Sequence, residues 1–360
     1  MKNKKVVVAM SGGVDSSVAA ALLKEQGYRV IGVGLKLFDA GAEEGRPRTC
    51  CGLRDLDDAR RVAQVLSIPF YVLDLEEIFR EAVIDYFIDG YLRGETPNPC
   101  LACNRVIKFD VLLERCLALG ADYLATGHYA RVEYDPKRGE FLLLKGMDAR
   151  KDQSYFLYML EQEKLSRLLF PLGKMTKELT RRIAAQLSLK VHDKRESQDV
   201  CFVGKAGYVD LLAKRGRAEF QPGPILDRRG EVVGSHRGLP LYTLGQRRKL
   251  GVSRPGRWYV VDMDPSRNAI IVDGDPHREE RVFLREVSYT GAFAPTGELE
   301  VMVVTRYRGE EIPAVLVPLE GESAMVKFTS PQKVVAPGQA VVFYREAEVI
   351  GGGIAERRLD

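Results

Sequence analysis

The sequence contains no apolar run close to the roughly 20 residues that a membrane-spanning helix requires, so we expect no membrane partner. It also contains no internal repeat and no low-complexity segment. The apolar residues 6–10 follow a basic start but are too few for the core of a signal peptide. We interpret them as a first β-strand and predict a cytoplasmic protein.

Cysteine is scarce, with six residues in a chain of 360. A structural disulfide framework is not expected in a cytoplasmic protein, so reactive thiols, a persulfide or a metal site explain the cysteines better. An excess of either charge is also absent, because 54 basic and 50 acidic side chains give a net charge of +4. This balance permits nucleic-acid binding but does not by itself indicate it.

The first half of the sequence alternates short apolar runs with amphipathic stretches. Strands are predicted at residues 5–9, 30–35, 70–73 and 123–126, and helices at residues 16–25, 55–66 and 106–119. This order predicts an α/β domain at residues 1–205, in which a parallel sheet carries helices on both faces.

The second half of the sequence differs in composition. Residues 221–257 are rich in Gly, Pro and Arg, and we predict a small central linking domain at residues 206–280. Short β-rich runs then alternate with turn residues, at 299–306, 314–318, 324–328 and 340–343. That spacing predicts a C-terminal β-barrel at residues 281–360.

A glycine-rich turn joins the first strand to the first helix, with the sequence Ser11-Gly12-Gly13-Val14-Asp15-Ser16-Ser17. Glycines let the backbone approach an anion closely, and the helix N-terminus offers free N–H groups to phosphates. The turn has no Walker A lysine and does not match Gly-x-Gly-x-x-Gly. Asp15 would repel phosphate unless it holds Mg²⁺ or caps the helix. We therefore predict a nucleotide site for ATP and Mg²⁺.

Three cysteines form a second group of candidate residues. Cys100 and Cys103 form a Cys-x-x-Cys motif, and we expect a helix beginning near Asn104 to place Cys103 at its positive end, which favours a thiolate. Cys201 lies far downstream, so only the fold can bring it close. A nucleotide site with several thiols is consistent with sulfur transfer.

Other interpretations of the cysteines remain open. Cys-x-x-Cys is also half of a structural zinc site, although the adjacent Cys50 and Cys51 would chelate poorly. Cys116 lies on the apolar face of a predicted helix and fits the core. The basic residues 174–195 and the cluster Arg247-Arg248-Lys249 are candidates for phosphate contacts.

The glycine-rich turn resembles the pyrophosphatase loop of the N-type ATP pyrophosphatases. This resemblance implies that ATP is cleaved between its α- and β-phosphates, so that the substrate is adenylated and pyrophosphate leaves. Five further motifs make the resemblance specific: Asn98-Pro99-Cys100-Leu101-Ala102-Cys103-Asn104, Thr126-Gly127-His128-Tyr129-Ala130, Lys151-Asp152-Gln153-Ser154-Tyr155-Phe156-Leu157, Val200-Cys201-Phe202 and Thr243-Leu244-Gly245-Gln246-Arg247. With the turn, they resemble the tRNA-specific 2-thiouridylases over essentially the whole chain.

The resemblance implies replacement of the 2-oxygen of the wobble uridine by sulfur in tRNAs for Lys, Glu and Gln. Its implied partners are tRNA and a sulfur donor protein of a cysteine-desulfurase relay, with no DNA. Cys103 would be the nucleophile and Cys201 the persulfide carrier, beside Asp15. The implied ATP contacts are Ala9, Met10, Ser11, Gly12, Gly13, Val14, Asp15, Ser16, Leu35 and Gly127. The implied tRNA contacts are Asn98, Pro99, Cys100, His128, Lys151, Asp152, Gln153, Arg306, Tyr307 and Gln339.

Three alternatives accompany this hypothesis. Many members of the family have Asp where this chain has Cys100, so Cys100, Cys103 and Cys201 are also candidate ligands of a 4Fe-4S cluster that would carry the sulfur. A small-molecule adenylating ligase on the same turn would not need Cys103 or Cys201. A non-catalytic tRNA-binding or iron-sulfur protein would bind tRNA without releasing pyrophosphate.

Overall fold

The computed structural model describes residues 3–38, 53–194, 200–203, 207–214, 220–276 and 278–357. Within these residues the chain forms an α/β unit, a small β unit and a β-barrel. No helix in this part of the chain is both long and apolar enough to cross a membrane. Cys50 and Cys51, the weak candidates for a zinc site, lie outside the described residues.

The α/β unit contains the strands β1 (Lys5–Ala9), β2 (Arg29–Lys36), β3 (Phe70–Asp74), β4 (Tyr123–Ala125), β5 (Ala130–Asp135), β6 (Glu140–Lys145) and β7 (Leu168–Leu169). Its α-helices are α1 (Val14–Glu25), α2 (Leu53–Val65), α3 (Glu76–Phe79), α4 (Tyr86–Leu92), α5 (Pro99–Ala102), α6 (Leu113–Ala118), α7 (Gln162–Leu165) and α8 (Lys177–Gln186). The π-helical segments Arg80–Asp85 and Cys103–Leu112 join α3 to α4 and α5 to α6, and Ser154–Leu157 is a 3₁₀ helix.

Five of these strands form a parallel sheet in the order β3-β2-β1-β4-β7. Successive side chains of a strand point to opposite faces, and β1 shows this clearly. Val7 belongs to a hydrophobic cluster with the helical residues 76–118, whereas Val6 and Val8 belong to a second cluster with α1. Both faces of the sheet are therefore buried, which confirms the predicted doubly covered parallel sheet.

The strand order reverses between β1 and β4. The chain passes from β1 to β2 and β3 on one side of the sheet and returns to β4 and β7 on the other. In parallel α/β sheets, ligands bind in the crevice that such a reversal opens at the carboxyl ends of the strands. The glycine-rich turn follows β1 and Gly127-His128 follows β4, so both meet at this crevice.

The small β unit follows α9 (Tyr208–Lys214) and contains β8 (Gly223–Asp227), β9 (Val232–His236), β10 (Tyr259–Asp264) and β11 (Ala269–Asp273), with a 3₁₀ helix at Leu239–Leu241. Its strands pair in the order β10-β11-β8-β9. The barrel contains β12 (Arg278–Tyr289), β13 (Leu299–Val304), β14 (Ile312–Pro318), β15 (Ala324–Lys333), β16 (Ala340–Arg345) and β17 (Glu348–Glu356). Pairing of β12 with β17 closes it, which confirms the predicted barrel.

The hairpin formed by β5 and β6 joins the α/β unit to the barrel. Its second strand pairs with β17 at Leu144 and Glu348, and the N–H of Lys145 donates to the carbonyl of Ala347 at 2.8 Å. The sheet of the barrel thus continues into the first unit of the chain.

Two predicted elements differ from the structure. The helix expected near Asn104 begins at Pro99, because Asn98 caps it by accepting the N–H of Cys100 at 3.1 Å and a proline is favourable at the first helical position. The run predicted as a strand to residue 306 ends at Val304, so Arg306 lies in the turn that follows rather than on a barrel strand.

Candidate functional site

The turn after β1 is shaped by a glycine that no other residue can replace. Gly12 has a φ of +68°, and a Cβ on it would lie 2.0 Å from the backbone oxygen of Asp55. Gly13 is the N-cap of α1, and its φ of −92° and ψ of 166° are those of an extended residue. Because no side chain caps this helix, the free N–H groups of its first turn remain available to an anion.

Serine hydroxyl groups brace the turn from inside. The N–H of Ser11 donates to Ser16 Oγ at 3.1 Å. The hydroxyl groups of Ser16 and Ser17 donate to the carbonyl of Gly13 at 3.3 Å and 2.8 Å. Ser16 and Ser17 are buried, so their hydroxyl groups help to fix the conformation of the turn.

The carboxylate of Asp15 has partners that the sequence did not reveal. The Nζ of Lys177 lies 2.8 Å from Oδ1 and 2.7 Å from Oδ2 of Asp15. The hydroxyl of Tyr129 donates to Oδ1 at 2.8 Å and lies 3.0 Å from Thr180 Oγ1. Asp15 does not cap α1 but pairs with a nearly buried ammonium group. This ion pair explains how a carboxylate is tolerated in an anion-binding turn.

Lys177 comes from the basic stretch 174–195, which the sequence suggested only as a surface for phosphate. Lys177 is the first residue of α8, which Thr176 caps through the N–H of Leu179. The backbone N–H of Lys177 donates to Asp148 Oδ2 at 3.0 Å. The signal for this residue was therefore present in the sequence, but its direction toward Asp15 depends on how α8 packs against α1.

A second lysine of the same stretch also reaches the turn. The Nζ of Lys194 donates to the carbonyl of Gly12 at 2.9 Å, to Asp55 Oδ1 at 2.6 Å and to Asp58 Oδ2 at 2.7 Å. Burial lowers the pKa of Lys194, but the hydrogen bonds to the two carboxylates outweigh it, so that the pKa is raised above its ordinary value. Lys194 is therefore charged at neutral pH.

Gly127 lies directly against the first turn of α1. A Cβ on Gly127 would be 2.7 Å from the backbone nitrogen of Ser16 and 2.8 Å from the carbonyl carbon of Asp15. The end of β4 and the start of α1 thus approach each other as only glycine allows, which is consistent with the predicted nucleotide contact at Gly127.

His128 is buried rather than displayed on the surface. Its ring lies 5.9 Å from that of Phe109 and 5.8 Å from that of Phe170, and Nδ1 is 2.6 Å from Thr126 Oγ1. Burial, with a smaller contribution from the charge of Lys108, holds the pKa of His128 well below its usual value. The predicted tRNA contact at His128 stays a prediction, and any such contact requires a change at this position.

The other predicted ATP contacts lie around the same strands. Ala9 ends β1, and Met10 donates its N–H to the carbonyl of Val33 at 2.8 Å. Val14 opens α1 and Leu35 lies near the end of β2, both with buried side chains. Any contact from these residues to a nucleotide depends on backbone groups or on apolar surface.

The helix that contains the Cys-x-x-Cys motif begins at Pro99 rather than near Asn104, which changes the position of each thiol relative to the helix N-terminus. Cys100 is exposed in its first turn, whereas the N–H of Cys103 already bonds to the carbonyls of Pro99 and Cys100. The field of a helix end falls off within one turn. Cys100, rather than Cys103, is therefore the residue nearer to the positive end.

Cys103 and Cys201 pack against the same hydrophobic cluster, and both are partly buried. Phe202, next to Cys201, fixes that segment by edge-on contacts with Phe79 at 5.9 Å and Phe87 at 5.4 Å. The fold thus brings two distant cysteines to one cluster. Burial raises the pKa of the Cys116 thiol to about 12, which confirms its predicted place in the core.

Cys100, Cys103 and Cys201 are the three candidate ligands of an iron-sulfur cluster. No group of three or more His, Cys, Asp or Glu side chains in this part of the chain is arranged to hold a metal ion. Among the described residues, Cys100, Cys103 and Cys201 are therefore not assembled as ligands of a 4Fe-4S cluster in this conformation.

The predicted tRNA contacts of residues 151–153 serve partly as internal supports. Gln153 Oε1 accepts the N–H of Tyr129 at 3.0 Å. Asp152 Oδ1 accepts the N–H of Gly146 at 2.7 Å, and burial raises the pKa of Asp152. Lys151 is partly exposed beside them. These residues organise the loop that follows β6.

The predicted tRNA contacts of the barrel lie close to the first unit. Tyr307 packs on Phe156 with ring centroids 4.5 Å apart, and Arg306 next to it is exposed. Gln339 donates to the carbonyl of Thr96, just before Asn98 and Pro99. The barrel therefore contacts the loop that leads to the Cys-x-x-Cys motif.

The glycine-rich turn lies where the strand order of a parallel sheet reverses, and a lysine is held beside the N-terminus of the helix that follows. These features define an α/β nucleotide-binding protein. Residues 4–205 match the family described as tRNA methyl transferase HUP domain. Residues 210–273 match its PRC-barrel domain, and residues 279–355 match an aminomethyltransferase β-barrel domain. With the relatives below, these matches show that the chain belongs to the tRNA-specific 2-thiouridylase family.

The relatives resemble this chain over almost its whole length. It is 52% identical to the tRNA-specific 2-thiouridylase MnmA of Moorella thermoacetica, with 97% of this chain and 99% of the relative covered. The identity is 49% to that of Heliobacterium modesticaldum, over 99% of this chain and 93% of the relative. It is 48% to that of Pelotomaculum thermopropionicum, over 99% and 98% respectively.

Proposed function

We propose that this protein is an ATP-dependent tRNA-uridine 2-sulfurtransferase that converts the wobble uridine to 2-thiouridine in tRNAs for Lys, Glu and Gln. The observation that carries the proposal is the joint presence in one unit of the braced nucleotide turn and of Cys103 and Cys201 on one cluster. Neither a small-molecule ligase nor a non-catalytic binding protein requires both features.

The first step is activation of a poor electrophile. The 2-oxygen of uridine attacks the α-phosphorus of ATP, the bond to the β-phosphate breaks, and pyrophosphate leaves. Backbone N–H groups at the start of α1 stabilise the charge on the phosphates, and Lys177 is the cation held beside them. Mg²⁺ bound with ATP would neutralise the departing pyrophosphate. The Asp15 carboxylate would hold this Mg²⁺ ion, and it would then bind both the metal and the ammonium group of Lys177.

The second step replaces oxygen by sulfur. The outer sulfur of a Cys201 persulfide attacks C2 of the uridine, and the C2–O bond breaks so that AMP leaves with the electron pair. The thiolate of Cys103 then attacks the inner sulfur of Cys201, which releases the thiolated base and forms a Cys103–Cys201 disulfide. A thiol reductant resets the enzyme. The partly buried position of both cysteines limits competing hydrolysis of the adenylate.

The division of labour follows the order of the chain. We assign catalysis to residues 1–205, a linking role to residues 206–280 and a tRNA-contacting role to residues 281–360. Asn98, Pro99 and Cys100 face the target base in this proposal. A sulfur donor protein of a cysteine-desulfurase relay loads Cys201, and the reaction takes place in the cytoplasm on tRNA.

The test replaces each cysteine by serine and measures two products separately. Cys103→Ser and Cys201→Ser should each abolish 2-thiouridine formation on unmodified tRNA, because each breaks the sulfur route at one atom. ATP binding, measured by calorimetry, should stay within about twofold of the wild-type value, since neither residue belongs to the glycine-rich turn.

Cys100→Ser is the matched control, because it removes the third thiol but no atom of the persulfide route. The persulfide route predicts that this variant keeps most of its thiolation activity. Loss of activity in all three variants, together with iron and sulfide in anaerobically purified protein, would replace the persulfide by the 4Fe-4S route. Normal thiolation by Cys103→Ser or Cys201→Ser would refute both routes.

A further inference from the structure

The first strand of the barrel, β12, contains a bulge. Its pairing with β17 shifts register between Arg285 and Ser288, and Glu286 has a φ of +51°, in the left-handed region that residues other than glycine rarely adopt. A Cβ on Gly351 of β17 would lie 2.2 Å from the carbonyl oxygen of Ser288, so the partner strand accommodates the bulge with a glycine. Bulges of this kind redirect side chains.

The bulge turns two consecutive side chains in the same direction. Neighbouring residues of a regular strand point to opposite faces of the sheet, but Nε of Arg285 lies 3.5 Å from Oε1 of Glu286. Arg285 also donates to the carboxylate of Glu95 at 3.3 Å, and Arg105 donates to that of Glu286 at 3.1 Å. Both side chains of the bulge therefore reach the α/β unit, at two different points of its chain.

These two points flank the Cys-x-x-Cys motif. Glu95 lies in the loop before the motif, and Arg105 lies in the π-helical segment Cys103–Leu112. The loop has a further attachment to the barrel, because Gln339 donates to the carbonyl of Thr96. The barrel therefore holds the segment that contains the motif from both sides.

The ion pairs form one chain of alternating charge, in the order Arg93, Glu95, Arg285, Glu286 and Arg105. A single ion pair at the surface contributes little, but the side chains of Glu95 and Arg285 are only 16% and 29% exposed. Burial lowers the pKa of Arg285, and the carboxylates of Glu95 and Glu286 outweigh it, so that the pKa is raised above its ordinary value. Arg285 is therefore charged, and its position depends on its partners.

We propose that Arg285 and Glu286 are positioning residues that hold the Cys103 thiol in the orientation required for its attack on the inner sulfur of Cys201. Neither residue touches a reacting atom, since both act through the chain on either side of the motif. This inference rests on the proposed function, and it gives the barrel a part in the sulfur step besides tRNA contact. Release of both contacts leaves Cys103 free to take other orientations, so its attack becomes slower.

The first test follows a single turnover without reductant. Enzyme loaded by a cysteine desulfurase and free cysteine is mixed with ATP and unmodified tRNA. In the proposed route, two sulfur atoms join the uridine to Cys201 until Cys103 attacks, so the covalent adduct is measured on non-reducing denaturing gels. Arg285→Gln/Glu286→Gln should slow decay of the adduct about fivefold, and pyrophosphate release should stay within about twofold of wild type.

The control for this experiment is Glu298→Gln, which breaks the ion pair between Glu298 and Lys327 inside the barrel. Its adduct should decay at the wild-type rate. A wild-type decay rate in Arg285→Gln/Glu286→Gln would overturn the inference. Equal slowing of pyrophosphate release and adduct decay in that variant would also overturn it, because a general structural defect affects both steps.

The second test removes the same ion pair from either side. If Arg105 and Glu286 act as a unit, then Arg105→Gln, Glu286→Gln and the double variant should slow adduct decay equally, because the second substitution removes an interaction that is already lost. Effects that multiply in the double variant would contradict the inference. Glu286→Gly permits the left-handed conformation but lacks the carboxylate, and it should decay as slowly as Glu286→Gln. A wild-type rate in Glu286→Gly would also contradict the inference.

The last test needs no tRNA. Alkylation of Cys103 by iodoacetamide is followed by peptide mass spectrometry, and Arg285→Gln/Glu286→Gln should react about threefold faster than wild type, because the motif is held at fewer points. Cys116 is buried in α6, so its alkylation reports unfolding and should not change. An unchanged rate at Cys103, or an equal increase at Cys116, overturns the inference. If Cys103 behaves as expected but wild type makes no 2-thiouridine, the proposed function fails and the anchoring of the motif stands.

Discussion

Asp15 carries a charge that its own turn cannot neutralise, and Lys177 neutralises it from a helix 162 residues later in the chain. The side chain of Lys177 is nearly buried, whereas that of Asp15 is partly exposed. The hydroxyl of Tyr129 fixes the carboxylate through a hydrogen bond to Oδ1. We propose that Asp15 acts on the phosphates of ATP indirectly, by holding the ammonium group of Lys177 beside the turn.

Replacement of Asp15 by asparagine tests this role. Asp15→Asn keeps the size of the side chain but loses the charge that holds Lys177. We expect the rate of tRNA-dependent pyrophosphate release to fall about 100-fold, or about 2.7 kcal/mol in the barrier. Asp122→Asn is the control, because Asp122 accepts the N–H of Lys5 at the opposite end of β1. Equal rates in Asp15→Asn and wild type would remove Asp15 from the site.

His128 leads to a prediction about pH. Because burial keeps its pKa low, the folded protein leaves His128 neutral while the unfolded chain takes up a proton below about pH 6.5. The free energy of unfolding should therefore fall as the pH is lowered from 7 to 5, by up to about 1.4 kcal/mol per pH unit for this residue. His236, whose pKa burial also lowers, acts in the same direction.

His128→Gln provides the comparison, since glutamine can still bond to Thr126 but does not titrate. Thermal unfolding at pH 7 and pH 5 should show a smaller loss of stability in this variant than in the wild type. An identical loss in both proteins would mean that His128 already takes up its proton in the folded state.

At the scale of elements, the close approach between the end of β4 and the start of α1 limits the shape of the site. A methyl group on Gly127 would lie closer than 3 Å to the carbonyl carbon of Asp15 and the nitrogen of Ser16, the two atoms of one peptide bond in α1, so α1 must move away. Gly127→Ala should weaken ATP binding about tenfold, measured by calorimetry. Gly297→Ala is the matched control, because a Cβ on Gly297 meets nothing within 4 Å. Unchanged affinity in Gly127→Ala would show that this approach is not needed for the nucleotide.

The sequence was sufficient to predict those elements that depend on residues close together in the chain. The turn, β1 and α1 follow from apolar periodicity and glycine chemistry, and their bounds agree closely with the structure. The start at Pro99 was missed because the short α5 is fixed by a cap rather than by apolar periodicity. The partners Lys177 and Lys194 could not be predicted, because ion pairs between distant residues depend on how helices pack after the chain has folded.

At the scale of the molecule, the barrel is attached to the catalytic unit at several points. Lys145 of the hairpin pairs with Glu311 at 2.6 Å, and the hydroxyl of Tyr155 donates to the carbonyl of Ala340 at 2.9 Å. The contact between the barrel and the first unit could not be predicted from sequence periodicity, because the pairing of β6 with β17 joins strands about two hundred residues apart. The barrel therefore supports the unit that contains the site, in addition to the tRNA-contacting role that we propose for it.

Gln339 distinguishes these two roles. It donates to the carbonyl of Thr96, whose own N–H bonds to the carbonyl of Pro337 at 2.7 Å, so this part of the barrel holds the loop before Cys100 and Cys103. If support dominates, Gln339→Ala should lower kcat for 2-thiouridine formation about fivefold, which corresponds to about 1 kcal/mol, the net value of one hydrogen bond. The KM for tRNA should then change little. Gln332→Ala is the control, because the side-chain amide of Gln332 donates to Ser330, two residues away on the same strand. A raised KM with unchanged kcat would instead assign Gln339 to direct tRNA contact.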